Sequence, residues 1–249
     1  MTTTERIGVW NQVVGQEAAV ETLAAAAAAA AKIVAGEPAP PGAMTHAWLL
    51  TGPPGSGRSV AARTFAAALQ CSTGTGCDAC PGCHTTMAGT HADVRLVVPE
   101  GLSISVAEMR ALVQAAARRP TTGNWQVVVI EDADRLTEGA SNALLKAVEE
   151  PPDRTVFLLC APSDHPEDVS VTIRSRCRLV SLRTPPPEAI ADVLVRRDHV
   201  DPERAQWAAS VCGGHVGRAR RLATDEAARQ RRATVLRIPR GLRRPRRPV

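Results

Sequence analysis

The stretch LLTGPPGSGRSVAARTFAAALQ, residues Leu49–Gln70, decides the fold. A short apolar segment leads into the glycine-rich loop Gly52–Ser59, and a run of helix-forming residues follows it. The loop matches the phosphate-binding pattern G-x-x-x-x-G-K-[ST] except at Arg58, where the pattern has lysine. Glycines let backbone N–H groups turn toward a phosphate, and the positive end of the next helix points there too. The stretch predicts a phosphate-binding strand, loop and helix; the alternative is a plain Gly-Pro turn.

Five residues of this loop are candidates for contacts with a bound nucleotide: Gly52, Gly55, Gly57, Arg58 and Ser59. The Ser59 hydroxyl stands where such loops contact Mg²⁺. Lysine reaches the phosphates as a compact point charge, whereas arginine is longer, planar and forked, so Arg58 should crowd the loop. We therefore expect weakened binding of ATP and Mg²⁺.

A pair of acids follows a second apolar segment in the stretch VVVIEDADRL. Glu131 and Asp132 come directly after this segment, where a nucleotide-hydrolysing site carries Asp and then Glu. The first acid of that pair holds Mg²⁺ through water, and the second orients the attacking water. Reversal misplaces both carboxylates, and errors of about 1 Å cost on the order of a hundredfold in rate. Glu131 and Asp132 are candidate nucleotide-site residues with impaired geometry, or else ordinary carboxylates at a strand end.

The composition is that of a globular protein, with 249 residues of which 44% are hydrophobic and 22% charged. The formal net charge of +5 conceals an uneven distribution, because residues 218–249 contain 12 arginines and two acids. The rest of the chain is therefore mildly acidic. The N-terminus has no basic segment followed by an apolar one, and the alanine run Ala24–Ala31 is too weakly apolar for a membrane span. These features predict a cytoplasmic protein without a membrane partner.

Apolar strand patterns alternate with helix patterns up to about residue 184, which predicts an α/β fold with a parallel sheet covered on both faces. Only helix patterns follow. We therefore expect a nucleotide-binding-like domain over 1–184, a small all-helical domain over 185–232 and a basic, disordered tail over 233–249. The predicted strands are 46–51, 93–99, 126–130, 155–160 and 178–182. The predicted helices are 16–35, 59–69, 105–118 and 140–150, and then 188–197, 201–211 and 217–232.

Four cysteines form a cluster with the spacing C-x5-C-x2-C-x2-C: Cys71, Cys77, Cys80 and Cys83. Clustered cysteines outside an oxidising compartment indicate a metal before a disulfide. Tetrahedral Zn²⁺ takes four thiolates, and this set leaves no open position, so we predict a structural zinc module at about 71–84. His84 could replace one ligand. An iron–sulfur cluster and four free thiols are the alternatives.

Four further stretches give the chain a resemblance to the clamp-loader branch of the AAA+ ATPases, over about residues 8–232. They are VVGQEAAVETL (Val13–Leu23), SNALLKAVEEPP (Ser141–Pro152), TIRSRCRLV (Thr172–Val180) and GGHVGRARRLA (Gly213–Ala223). The resemblance implies a P-loop AAA+ sheet flanked by helices, with a small helical lid. It also implies a third, all-helical collar domain. The chain stops soon after the lid, so we expect a truncated or frameshifted product; the alternative is a lineage that differs at this point. Its arginine-rich end is a candidate for nonspecific contacts with DNA phosphates, or a solvated tail.

Within this family the chain resembles the delta-prime branch, a stator that acts without hydrolysing ATP. Three departures point to it: Arg58, the order of Glu131 and Asp132, and Gly217 in the sensor-2 position with Arg218 displaced by one. For sensor 1, Ser163 is the candidate. The implied role is to help load the sliding clamp onto primer-template DNA, together with tau/gamma and delta subunits. The implied assembly is the DNA polymerase III holoenzyme, and this chain would be a weak or inactive ATPase without a polymerase site.

The resemblance gives Arg176 a role in trans. In this family the arginine of the Ser175–Cys177 signature reaches the γ-phosphate in the neighbouring subunit, as an arginine finger does. An ordinary surface arginine is the alternative, and we interpret Arg174 and Arg178 as surface charge. Two other functions remain open. One is an ATP-hydrolysing tau/gamma-like motor subunit, and the other is a zinc-dependent, nonenzymatic interaction module.

Overall fold

The computed structural model describes residues 8–99 and 101–241, with side chains as far as Ile238. The chain divides into two compact units between Thr184 and Pro185. The first unit contains the sheet and six α-helices of the described residues. These are α1 (Glu17–Ala35), α2 (Arg58–Leu69), α3 (Pro81–Met87), α4 (Val106–Ala116), α5 (Glu138–Glu149) and α6 (Val171–Arg174).

The sheet has five parallel strands in the described residues, in the order β2-β3-β4-β1-β5. They are β1 (Ala47–Thr51), β2 (Val94–Val97), β3 (Gln126–Ile130), β4 (Thr155–Ala161) and β5 (Arg178–Ser181). Every residue of β1, β3 and β4 is buried, which explains their continuous apolar runs. The register aligns Leu49 of β1 with Leu159 of β4. The predicted parallel sheet flanked by helices is confirmed.

Two apolar layers cover the faces of the sheet. Successive strand residues point to opposite faces, so Trp48 enters the layer with α1 and α2, and Leu49 enters the layer with α4 and α5. Trp48 meets Phe65 of α2 edge-on, with the ring centroids 5.1 Å apart. Each large side chain buried in this way contributes about 1.5–3 kcal/mol to the free energy of folding. The two layers thus hold the strand ends, and the loops after them, in fixed positions.

Helix α1 is long and apolar enough to cross a membrane by length and composition alone, and no other helix of the described residues passes this test. Core helices of globular proteins pass it as well. One side of α1 is buried in the layer that contains Trp48, through Leu23, Ala26, Ala27 and Ala30. The packing of α1 is therefore that of a core helix.

The start of β2 is fixed by a buried carboxylate, Asp93, which is 1% exposed. It accepts hydrogen bonds from the backbone N–H groups of Thr121, Thr122 and Gly123 at 2.8, 2.8 and 2.6 Å. Burial acts to raise the pKa of Asp93, but these hydrogen bonds outweigh it and hold the pKa well below the usual range. Asp93 therefore ties the loop before β3 to the neighbouring strand.

The second unit is helical throughout its described residues, 185–241, and contains α7 (Pro187–Asp198), α8 (Pro202–Val211), α9 (Val216–Thr224) and α10 (Glu226–Gly241). The predicted helix 217–232 is interrupted at Asp225, whose carboxylate accepts a hydrogen bond from the Ala228 N–H and so begins a new helix. Helix α10 then continues beyond residue 233, where the predicted disordered tail starts. Alanine, leucine, glutamine and arginine in this stretch are strong helix formers. Residues 242–249 of that tail lie outside the described part.

Candidate functional site

The phosphate-loop residues and the acid pair come together at one edge of the sheet. Strand β1 ends at Thr51, directly before the loop, and β3 ends at Ile130, directly before Glu131. Strand β4 lies between them, and parallel strands present their carboxyl ends at the same edge. The tertiary fold thus places two segments about 75 residues apart in the sequence at one site.

The loop has the backbone conformation that its glycines predict. Gly55 and Gly57 have φ of 88° and 95°, a region that side chains with a Cβ rarely adopt. Gly57 immediately precedes α2, and the N–H groups of Gly55, Gly57 and Arg58 have no hydrogen-bond acceptor within the described residues. Free N–H groups at the positive end of a helix form an anion-binding site. The backbone can therefore still receive a phosphate.

Arg58 fills part of this site with its own side chain. Its Nη1 donates a 2.9 Å hydrogen bond to the carbonyl oxygen of Gly52, and its Nη2 lies 3.9 Å from Oδ1 of Asp132. The side chain is only 13% exposed. The long arginine is thus accommodated by folding back over the loop, between the phosphate-binding amides and the second acid.

Both acids face further arginines. Glu131 Oε1 lies 3.4 Å from Nη2 of Arg63 on α2, and Asp132 Oδ2 lies 3.6 Å from Nη2 of Arg135. With Arg58, three guanidinium groups surround two carboxylates. Mg²⁺ needs oxygen ligands in a close octahedral shell, so these neutralised carboxylates do not fit a magnesium site. Neither Arg63 nor Arg135 is a motif position. The fold brings Arg63 to Glu131 from 68 residues away, whereas Arg135 follows Asp132 by three residues.

Gln16, which directly precedes α1, forms hydrogen bonds with the phosphate loop and with the segment that follows β5. Its Nε2 donates to the carbonyl oxygens of Ser56, at 3.2 Å, and Arg183, at 2.5 Å, and its Oε1 accepts from the Arg183 N–H at 3.0 Å. Gln16 is buried and belongs to the VVGQEAAVETL stretch. The sequence does not single it out, because an isolated glutamine carries no motif of its own.

The four cysteines meet beside α2. The Sγ atoms of Cys71, Cys77, Cys80 and Cys83 all lie within 4.8 Å of one another. The fold produces this arrangement with α3, which the sequence analysis missed. Cys80 precedes α3 and Pro81 occupies its first turn, where a missing N–H costs nothing. The geometry suits four ligands around a single ion.

The protonation of the cluster also suits a metal. Burial acts to raise the pKa of Cys71, but hydrogen bonds from Thr73 and the Cys77 N–H lower it to about 5. The pKa of Cys80 is lowered as well, because hydrogen bonds from Ser72 and Cys83 outweigh burial. Burial raises the pKa of Cys83. Hydrogen bonds therefore favour the thiolate forms of Cys71 and Cys80, and a metal would supply the charge that deprotonates Cys83.

Arg176 lies on the surface, just after α6. Its side chain is 37% exposed, and its Nη2 lies 2.7 Å from Oε1 of Glu149 at the end of α5. Nη1 also donates to the Thr172 carbonyl oxygen at 2.9 Å. Arg174 makes a separate ion pair with Asp164, at 2.8 Å. The guanidinium of Arg176 is thus accessible from outside, although it is not without a partner.

The two sensor candidates are occupied by local contacts. Ser163 donates a 2.6 Å hydrogen bond to Asp168 and accepts one from the His165 N–H, so it shapes its own turn. In the second unit, Nη1 of Arg218 donates to the Cys212 carbonyl oxygen at 3.4 Å. The contacts of Ser163 do not involve the phosphate loop.

Comparison with protein families gives a match over residues 35–186 to the family described as "DNA polymerase III, delta subunit". The delta' subunit of DNA polymerase III from Bacillus subtilis is 32% identical over 78% of this chain and 59% of its own length. The Escherichia coli delta' subunit is 37% identical over 61% of this chain and 46% of its own. A gamma/tau subunit from Mycobacterium tuberculosis is 32% identical over 62% of this chain and 27% of its own.

The fold is also found in solved structures. The RuvB Holliday junction branch migration motor of Thermotoga maritima superimposes with a TM-score of 0.54 at 17% identity. The match covers 91% of this chain and 64% of that one. At this identity the likeness concerns the fold alone, and it confirms the predicted AAA+ architecture. The present chain spans well under two thirds of the curated polymerase subunits that it matches.

Proposed function

The chain belongs to the DNA polymerase III delta-subunit family, and on this premise we propose that it is a delta-prime-like stator of the clamp loader. In this role it helps to load the sliding clamp onto primed DNA. One observation carries the proposal: the chain's own acids are neutralised by arginines, whereas Arg176 is accessible at the surface. Such a subunit contributes to hydrolysis in its neighbour and performs none itself.

The arginine acts through charge. A guanidinium that reaches a neighbour's γ-phosphate stabilises the negative charge of the transition state, and such fingers are worth about 10³–10⁵ in rate in GTPases. Arg176 must leave Glu149 to do this. Both side chains of that pair are partly exposed, so the ion pair contributes at most about 1 kcal/mol and is readily exchanged for a phosphate.

The proposed partners are tau/gamma and delta subunits, and through them the sliding clamp and primer-template DNA. The assembly is the DNA polymerase III holoenzyme, in which this chain supplies no polymerase site. A replication role places it in the cytoplasm. These assignments are supported by the relatives, which are named as delta' and gamma/tau subunits of DNA polymerase III.

For the cysteine cluster we propose a structural Zn²⁺ bound by Cys71, Cys77, Cys80 and Cys83. The sulfurs of Cys71 and Cys80 are 4.0 Å apart, and all four lie within 4.8 Å of one another. Four ligands at about 2.3 Å around zinc lie at similar mutual distances, so the site needs little adjustment. Zinc there would fix the segment between α2 and α3 and leave no open coordination position.

Reconstitution with the motor and delta subunits tests the proposal. Arg176→Ala should lower DNA-dependent ATP hydrolysis and clamp loading by about tenfold or more, with the complex still assembled. Arg174→Ala is the matched control, because Arg174 is two residues away and also ion-paired. Equal loading rates for Arg176→Ala and the native chain would show that the finger assignment is wrong.

A motor subunit is the second candidate function, favoured by the gamma/tau relatives and by the free amides of the loop. It predicts ATP turnover by the isolated chain that Glu131→Gln abolishes. Absence of turnover in the native chain, together with assembly into the loader, supports the stator instead.

A further inference from the structure

We propose that a cavity at the amino-terminal edge of the sheet binds an acidic peptide segment of a partner protein, through Arg119 and Arg154. Arg119 lies between α4 and β3, and Arg154 directly precedes β4. The phosphate loop follows the carboxyl end of β1, so the cavity lies at the opposite edge of the parallel sheet. Its volume is about 650 Å³, which is typical of ligand-binding sites. The proposal goes beyond the stator role and does not depend on it.

Two guanidinium groups without partners line this cavity. Arg119 and Arg154 are both exposed, and neither side chain makes an ion pair or a hydrogen bond within the described residues. Each arginine offers five N–H donors in a fork that binds a carboxylate through two parallel hydrogen bonds. The cavity therefore offers two unused sets of donors to an anion.

One buried residue, Gln126, holds the backbone of both arginines. Its N–H donates to the Arg154 carbonyl oxygen at 2.8 Å, and its Nε2 donates to the Arg119 carbonyl oxygen at 3.4 Å. Arg154 has a φ of 55°, which residues with a Cβ rarely adopt. Such a conformation persists only where the surrounding structure imposes it, and it is concentrated at binding sites. Both side chains thus start from fixed positions, which reduces the entropy lost on binding.

A buried donor lines the same cavity. Trp125 is 7% exposed, and its Nε1 has no hydrogen-bond acceptor among the described residues. The indole N–H groups of Trp10 and Trp48, in contrast, donate to carbonyl oxygens at 2.9 and 2.8 Å. A buried donor without an acceptor is costly, so a ligand oxygen that reaches Trp125 gains affinity by satisfying it.

The other walls of the cavity favour a peptide carboxylate over a nucleic-acid phosphate. Asp153 also lines it, so the two arginines are partly offset by a carboxylate. A phosphate backbone would bring a row of negative charges toward Asp153, whereas a peptide brings one carboxylate and N–H groups that Asp153 can accept. Ile33 and Pro120 add apolar surface, and Ile33 is 42% exposed. The matching ligand is a segment in which an acidic residue is next to an apolar one.

Fluorescence anisotropy with the full chain tests this, and the probe is a short dye-labelled peptide of alternating aspartate and leucine. We expect the native chain to bind it, and Arg119→Ala and Arg154→Gly each to lower the affinity about tenfold. Glycine at this position removes the guanidinium and suits the positive φ. Arg118→Ala is the matched control, because Arg118 is an adjacent exposed arginine outside the cavity lining, and it should leave the affinity unchanged.

An NMR measurement separates binding in the cavity from loose attraction to surface arginines. The chain has four tryptophans, and the indole N–H signal of Trp125 is identified by its loss in Trp125→Phe. This signal should move when the peptide saturates the native chain, because the buried N–H gains an acceptor. A peptide of alternating asparagine and leucine should not move it, and an oligothymidylate of similar length should not displace the aspartate peptide.

Any of four results would overturn the proposal. They are no binding of the aspartate peptide by the native chain, an equal loss of affinity in Arg118→Ala and Arg119→Ala, an unmoved Trp125 signal, and displacement of the peptide by oligothymidylate. The last result would assign the cavity to nucleic acid instead. None of them bears on the stator proposal, which depends on Arg176 and on assembly.

Discussion

Nη1 of Arg58 donates a 2.9 Å hydrogen bond to the carbonyl oxygen of Gly52, so the loop is closed by one of its own side chains. The same guanidinium lies 3.9 Å from Asp132, which belongs to a different strand. One substitution relative to the usual loop pattern therefore changes both halves of the nucleotide site. The backbone of the loop can still bind an anion, whereas the carboxylates of Glu131 and Asp132 are ion-paired and not free to coordinate a metal.

Gly52→Ala should destabilise the fold by about 1–3 kcal/mol, because the loop has no space for a Cβ at this position. A Cβ there would lie 2.6 Å from the Leu182 carbonyl oxygen and 2.6 Å from Ser56 Oγ. Urea unfolding measures the effect. Gly101→Ala is the matched control, since nothing lies within 4 Å of its Cβ position, and it should change stability little. Equal midpoints for the two variants would contradict this packing.

Glu149→Gln should release Arg176 from its 2.7 Å ion pair and leave the fold intact. Because the pair is partly exposed, its loss should cost less than about 1 kcal/mol of stability. In the reconstituted loader, ATP hydrolysis should stay the same or rise by up to about fivefold, since the finger no longer has a competing partner. A fall as large as that of Arg176→Ala would show instead that Glu149 itself is required.

Cys83→Ser should remove the bound zinc and lower the melting temperature by about 5 °C or more, since α3 depends on the cluster. Metal analysis of the purified chain and thermal unfolding with and without a chelator measure this. Cys177→Ser is the control, because Cys177 lies outside the cluster, and it should retain one zinc per chain. A native chain without zinc or iron would contradict the metal assignment.

Asp93→Asn should destabilise the chain by about 2–4 kcal/mol, since an amide places a donor against the N–H groups of Thr121, Thr122 and Gly123. The exposed Asp153→Asn is the matched control and should have little effect. Chemical denaturation of both variants gives the comparison, and similar unfolding free energies would exclude a stabilising role for the buried carboxylate.

The same carboxylate predicts an acid-dependent stability. Although burial acts to raise it, the hydrogen bonds depress the native pKa of Asp93 below the unfolded value of about 3.9. The stabilisation is thus complete above about pH 4 and declines as the pH falls below it toward the native pKa. The unfolding free energy of the native chain should therefore fall more steeply with acid than that of Asp93→Asn. Parallel curves would contradict this.

Local patterns in the sequence predict much of the architecture. The continuous apolar runs predict β1, β3 and β4, because a strand buried on both faces needs apolar side chains at every position. The glycine spacing predicts the loop conformation, and the C-x5-C-x2-C-x2-C spacing predicts the sulfur cluster. These features depend on residues near one another in the chain, so they can be predicted from the sequence alone.

The long-range ion pairs of the site were decided by the tertiary structure. The sequence by itself determined that Arg58 replaces lysine and that Glu131 precedes Asp132. It did not determine the pairing of Glu131 with Arg63 or the pairing of Arg176 with Glu149. The pair of Asp132 with Arg135 is local, because the two residues are three apart. Glu131 and Arg63 are 68 residues apart, and only the order of the sheet strands brings them within 3.4 Å. A long-range ion pair cannot be predicted from a local sequence pattern, because the residues around an acid do not indicate which distant arginine will pair with it.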